Sequence, residues 1–348
     1  MSSDDQKPIL SDEAQFLAKL PYKVTPTNLK GVYSNPALPE DFDPHGASQH
    51  DLTRHGLMFR KPDANSSPEV HEMYKRLLSR PWLEKDRIIP ESVPNIGVTH
   101  NFRGPHIKAS SPNATSNTNW FTHVWAGAGQ NTKTYTGIYG TWYIPTVSKP
   151  PEPQGTEGGW HSSSWVGIDG MFTSNDVLQA GVDQRVDRFG HASYFAWYEW
   201  YIPDDHSGLP PYIYETPIPN FPVNPGDEIF CFVYYQNHTA GNIIMTNNTN
   251  NSHFSITLAP PAAPGKPSPA KFNGSSIEWI MEAPDGGEDF SSLPNFTPVT
   301  FTECVACAAG GTNVFPSDCD TMNVTNQEGK ILTATTTSER SVTISFTG

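Results

Sequence analysis

Two glutamates stand four residues apart in SSIEWIMEAP (275–284), around a tryptophan and in a stretch otherwise apolar enough to be buried. With a period of two, Ile277, Trp279 and Met281 fall on one side and Glu278, Ile280 and Glu282 on the other, the alternation of a half-buried strand. The β-branched and aromatic content and the stop at Pro284 favour a strand over a helix. The same division recurs elsewhere. In DVLQAGVDQ, Leu178, Ala180 and Val182 make an apolar side and leave Val177, Gln179, Gly181 and Asp183 on the other. In SYFAWYEWYI, Phe195, Trp197, Glu199 and Tyr201 share an aromatic face with one acid in it, and WVGIDG adds Trp165 and Asp169. Set side by side, these faces line a groove of tryptophans, tyrosines and acids, which suits an extended polymer, peptide or glycan.

The elements that must hold these residues are short strands. The 348 residues include 33 prolines and 27 glycines, which favour many turns and few long helices. From Trp120 onward, TYTGIYGTWYIP, DEIFCFVYYQN, HFSITLAP, VTFTEC and RSVTISFTG join the segments above. Their spacing predicts an all-β domain over residues 117–348, a two-sheet antiparallel β-sandwich. VNPGD and TNNTNNS read as hairpin ends, and five prolines between Ala259 and Ala270 as a stiff connector. Residues 1–116 have another texture. Ser67, Pro68 and Glu69 start a helix whose Val70, Met73, Tyr74, Leu77 and Leu78 recur at helical spacing until Pro81. A shorter helix is expected over Ser11–Leu20, among proline-punctuated stretches such as SNPALPEDFDPHG. This segment is too irregular to build its own core. It reads as an arm packed on the sandwich, with SSPNATSNTN (110–119) as hinge or processing point.

Charge and motifs exclude several functions. The arm balances 14 basic against 14 acidic residues over 1–115, so the net charge of -14 belongs to the rest of the chain. Such a body repels nucleic acid and anionic membranes, so neither is expected as a partner. No run of 18 apolar residues predicts a membrane helix, and MSSDDQKPIL lacks the pattern of a signal peptide. His71-Glu72 begins like a zinc-protease helix, but Lys75 occupies the second ligand position. Cys304-x-x-Cys307 lacks a second ligand pair, so no zinc, and no other metal or cofactor, is expected. One or two disulfides within 304–319 are expected, with Cys231 a buried thiol or a partner to one of these cysteines. The G-x-S-x-G, D-[S/T]-G, P-loop and G-x-G-x-x-G motifs are all missing.

SSWVGIDG, VLQAG, AWYEWYIP, NPGD and IEWIMEAP, in this order and at these separations, resemble the glutamic peptidases, or eqolisins, over roughly residues 117–348. That resemblance implies a lectin-like, jelly-roll sandwich and an acid endopeptidase acting on polypeptides without a cofactor. Matched motif to motif, the catalytic glutamine falls on Gln179 and the glutamate on Glu282, with Glu278 supporting and Trp165, Asp169, Trp197 and Glu199 in the groove. The pair is expected on neighbouring strands of the concave sheet. The resemblance also implies a precursor whose arm lies across or beside the groove, and an extracellular location. A monomer is expected. The family usually carries an aspartate two residues before the tryptophan of AWYEW; here that residue is Phe195. Two rival readings use the same face: a glycoside hydrolase with Glu199 and Glu282 as its carboxyl pair and tryptophans as sugar platforms, and a non-catalytic lectin.

Overall fold

A computed structural model of the chain describes residues 12–57, 60–79, 82–94, 118–151, 159–171, 176–203, 207–236, 239–284, 293–326 and 328–348. Two large sheets face each other. The front sheet has eight strands in the order Thr216–Pro217, Ala192–Tyr201, Val177–Val186, Trp160–Ile168, Ile277–Glu282, Trp125–Gln130, Asp320–Val324 and Asn119–Thr122. Its pairs are antiparallel except the last, Asp320–Val324 with Asn119–Thr122, which is parallel. The back sheet runs through Ser252–Leu258, Ala240–Asn247, Glu228–Gln236, Tyr135–Tyr143 and Val299–Ala308 to the C-terminal hairpin of Thr333–Thr337 and Val342–Phe346.

The period-two pattern decides which atoms meet between the sheets. Leu178, Ala180, Tyr198, Trp200 and Trp279 of the front sheet pack on Ile138, Trp142, Ile229, Val233 and Ile243 of the back sheet in one buried core. Burying a large apolar side chain contributes about 1.5 to 3 kcal/mol, so this layer is the main support of the groove residues on the opposite face of the same strands.

The arm covers the other side of the back sheet. EIFCFVYY is apolar at successive positions, so Ile229, Cys231 and Val233 fill the inter-sheet core while Phe230, Phe232 and Tyr234 need a second cover. Leu52, Met73, Leu77 and Trp82 of the arm supply it. Arm strands Thr25–Pro26 and Val32–Ser34 also extend the back sheet beyond Ser252–Leu258. Hydrogen bonds seal the seam: Tyr22 Oη donates to Asn242 Oδ1 at 2.9 Å and Asn35 Nδ2 to Ser255 Oγ at 2.8 Å, while within the arm Arg87 Nη1 donates to the Asn35 carbonyl at 2.7 Å. The described arm therefore lies on the back sheet and not across the groove. It reaches the front sheet only at its edge, where the Val93 N–H donates to Pro217 O at 3.0 Å and the Ser92 and Tyr198 hydroxyls are 2.9 Å apart.

Local signals in the arm act as their chemistry requires. The main helix is Pro68–Leu78, with Ser67 as N-cap, and it closes at Ser79, before Pro81. The shorter helix is Asp12–Leu17. A third helix, Gln49–Arg54, occupies a stretch read above as irregular; Ser48 and Asp51 form a capping box at its start. The hinge at 110–119 falls outside the described residues except for Thr118 and Asn119.

The expected disulfides do not form; all four cysteines are free thiols. Cys304 faces the inter-sheet core, whereas Cys307, on the same strand, packs against the cluster beneath the arm, so the two point to opposite faces. Burial pushes the Cys231 and Cys304 thiols well up, which leaves them inert. No helix among the described residues is long and apolar enough to cross a membrane.

Candidate active site

Four strands of the front sheet carry the groove residues on their outer face. Backbone pairing places Glu199 opposite Gln179, Gln179 opposite Gly167, and Gly167 opposite Glu278. The next row holds Trp197, Gly181, Trp165 and Ile280, and the one after it Phe195, Asp183, Ser163 and Glu282. Gln179 and Glu282 therefore share a face but do not lie on neighbouring strands, as had been expected: Trp160–Ile168 runs between theirs. Glu278, not Glu282, lies in the row of Gln179.

Two glycines and two indoles bridge these rows. A Cβ on Gly167 would meet the Trp165 ring at 2.8 Å, so the indole lies over this glycine. From there its Nε1 donates to Glu282 Oε2 at 2.7 Å. A Cβ on Gly181 would sit 2.2 Å from Ser164 O and 2.5 Å from Trp165 Cβ, which leaves no room for a side chain. Trp197 reaches across this strand to donate from Nε1 to Ser163 Oγ at 2.9 Å. Trp125 packs edge-on against Trp165, ring centroids 5.2 Å apart, and with Ile280, Met171 and Met322 these rings make a separate apolar cluster over the front sheet.

The polar groups are held within it. Gln179 Nε2 donates to Glu199 Oε2 at 2.8 Å, while Gln179 Oε1 accepts from no protein donor among the described residues. Burial pushes the Glu199 carboxyl well above its usual range, the charge of Glu282 adds to the rise, and the Gln179 hydrogen bond opposes it. Glu278 is fully buried; burial raises it strongly, the Ser276 hydroxyl opposes this and the charge of Asp169 adds to it. Burial thus shifts both Glu278 and Glu199 toward the neutral form.

Asp169 is the predicted residue that lies elsewhere. The chain turns out of the Trp165 strand at a left-handed φ of 68°, and the Asp169 carboxylate accepts from Ser275 N at 2.7 Å, Ser275 Oγ at 2.8 Å, Tyr235 Oη at 3.0 Å and Gly274 N at 3.1 Å. It anchors the turn leading into the Glu278 strand and is not a groove wall. Ser163, Trp125, Asp183 and Arg185 lie on the same outer face, with Glu215 3.6 Å from Arg185, and the sequence reading gave none of them a role. Alternation already placed Asp183 beside Gln179; no local signal marks Glu215.

The outer face of the front sheet thus gathers buried tryptophans and carboxyls around one amide. Residues 123–346 match the profile of the peptidase A4 family. The chain is 30% identical over 287 residues to Aspergillopepsin-2 of Aspergillus niger, covering 77% of this chain and 94% of that protein. It is 27% identical over 215 residues to Scytalidopepsin B of Scytalidium lignicola, covering 59% and 70%. Its fold resembles the crystal structure of scytalido-glutamic peptidase with a peptide-based transition-state analog, at TM-score 0.50 and 23% identity over 68% of this chain and 100% of that one. The chain belongs to the peptidase A4 family. It is a glutamic endopeptidase, a hydrolase active in acid.

Proposed function

We propose that hydrolysis is carried by Gln179 and Glu282 acting on one water, and that the chain is a precursor whose arm must be severed from the sandwich. The observation that carries the dyad is their common face with separate supports: Glu199 orients the amide and the Trp165 N–H orients the carboxylate. Ionised Glu282 removes a proton from a water as it attacks the peptide carbonyl, then returns that proton to the leaving amine. The second N–H of Gln179 donates to the developing oxyanion, a contribution of about 3 to 4 kcal/mol for one such donor. An amide suits acid because it keeps its donor and acceptor at every pH, whereas a second carboxyl would couple its titration to the first. The glycosidase reading leaves Gln179 idle and needs a Glu199 already engaged by it.

Gln179→Glu is the test of the glutamine. The replacement donates only when protonated, so remaining activity is expected to move to lower pH and to shrink as the new carboxyl ionises. An unchanged pH profile for hydrolysis of denatured protein would defeat the assignment.

The precursor reading rests on the resemblance to the glutamic peptidases and on the 110–119 segment as a processing point. Gln179 is 1% and Glu282 3% exposed, so substrate reaches them only once their cover opens. Full-length protein is expected to be idle at first and to gain activity on cleavage between the arm and Thr118. Because the arm covers Phe230 and Phe232, both fragments are expected to co-elute on gel filtration after cleavage. Full activity in uncleaved chains would remove the precursor role.

A further inference from the structure

We propose that Asp320 is a specificity-determining residue of this peptidase: it fixes the Trp120 indole as a platform for an apolar substrate side chain about four residues from the scissile bond. The inference rests on the reading of the outer face as the peptide groove. Pairing across the front sheet extends both rows described above to its Asn119–Thr122 edge. Ile280 lies opposite Gly127, Gly127 opposite Met322 and Met322 opposite Trp120, so Trp120 ends the row that begins at Trp197. Glu278 lies opposite Gly129 and Gly129 opposite Asp320, so Asp320 ends the row of Glu199 and Gln179. Trp120 packs on the cluster that contains Trp125, Trp165, Ile280 and Met322, yet it stays partly exposed where Trp165 and Trp197 are buried.

Asp320 sets where this ring stands. Its Oδ2 accepts from Trp120 Nε1 at 3.0 Å and its Oδ1 from Thr118 N at 2.7 Å, so one carboxyl group holds both the indole and the backbone two residues before it. The strand itself has other ties. Thr321 N donates to Thr118 O at 2.9 Å, and on the opposite face Asn119 Oδ1 accepts from Asn323 Nδ2 at 2.8 Å and from Thr321 Oγ1 at 3.1 Å. Loss of the carboxyl therefore frees the indole before it frees the strand. Three interstrand spacings of about 4.8 Å separate the Glu282 strand from that of Trp120, roughly 14 Å, or about four residues of extended chain. An indole already held in place offers a substrate side chain apolar area with little ordering cost at binding. Asp320 touches no substrate in this scheme; it acts through Trp120.

Peptides with three residues on each side of the scissile bond, lengthened at either end by Phe-Phe or by Gly-Gly, test this. In the parent, one end is expected to show kcat/KM about tenfold higher with Phe-Phe than with Gly-Gly, for cleavage at the same bond as read by mass spectrometry of the products. That ratio is expected to fall to about twofold or less in Trp120→Ala and in Asp320→Ala. Asp320→Asn, whose amide keeps one acceptor oxygen for two donors, is expected to fall between. Taking the ratio within each protein cancels any loss at Gln179 or Glu282, so failure here is distinct from failure of the dyad. A parent ratio near one at both ends overturns the proposal. So does an Asp320→Ala ratio equal to the parent's, since both peptides slowed alike would assign Asp320 to holding the strand alone. Should Asp320→Ala not fold, an Asp320→Asn ratio equal to the parent's overturns it in the same way.

Discussion

Glu282→Gln is expected to reduce hydrolysis of denatured protein in acid by about 10³-fold or more, because it removes the only base proposed for the water. The swap changes one oxygen for an NH₂, so shape and packing persist and the Trp165 N–H can still donate to the remaining oxygen. Circular dichroism and Tm in acid are expected to stay near the parent's, which separates lost chemistry from lost fold. Glu278→Gln is the informative control. Glu278 shares the outer face and lies nearer the row of Gln179, yet its buried carboxyl is already neutral in acid, so replacing it with a neutral amide is expected to leave most activity in place. Proteolysis that persists in Glu282→Gln, or that vanishes in Glu278→Gln instead, would reassign the base.

Stability is expected to be greatest in acid and to fall steeply toward neutral pH. Glu199, Glu215 and Glu278 all have carboxyls pushed well above their usual range by burial. In the unfolded chain such groups lose their protons near pH 4.3, roughly, while the folded chain retains them. Above that pH the folded state holds more protons, so stability declines as pH rises until the folded groups ionise too. Each retained proton costs about 1.4 kcal/mol per pH unit, so three together cost about 4 kcal/mol per unit. One group opposes the trend. His253, packed against Trp82 of the arm with ring centroids 5.7 Å apart, is lowered by burial to about 4. Its contribution is present above about pH 6.5 and is lost as pH falls toward the folded value, at about 1.4 kcal/mol per unit. With three raised carboxyls against one lowered imidazole, the net slope just above pH 4.5 remains downward. Calorimetric Tm values from pH 3 to 8 check this, and a Tm that is flat or rising from pH 5 to 7 would refute it. Glu278→Gln is expected to raise Tm at neutral pH and to leave it little changed in acid.

Much of the site was legible because alternation along a strand is a local property. Two faces follow directly from residue types at i and i+2, so Gln179, Glu199, Trp197, Trp165, Glu278 and Glu282 could be assigned to one side before any strand was paired. EIFCFVYY is apolar on both faces, and the arm meets that need. Helix starts were legible for a like reason: Ser67-Pro68 acts within one turn, and the Ser48–Asp51 box that was passed over is equally local.

Strand order is a different kind of fact. The front sheet places the segment at 277–282 between those at 160–168 and 125–130, and no local residue pattern encodes contacts so distant in sequence. Hence the strand between Gln179 and Glu282, and the row shared by Gln179 and Glu278, appeared only when the sheet was assembled. Asp169 fits the alternation of WVGIDG, but one left-handed φ turned its carboxylate toward Gly274 and Ser275. Glu215 directly precedes the two-residue strand Thr216–Pro217 in a stretch without periodicity, and its contact with Arg185 exists only in the assembled sheet. Sequence by itself determined the all-β class and the faces, because these depend on neighbours one or two residues away, and the resemblance to the glutamic peptidases named the candidate pair. Tertiary structure alone decided which carboxyls are buried together and so keep their protons, because burial and charge coupling depend on distances that folding sets.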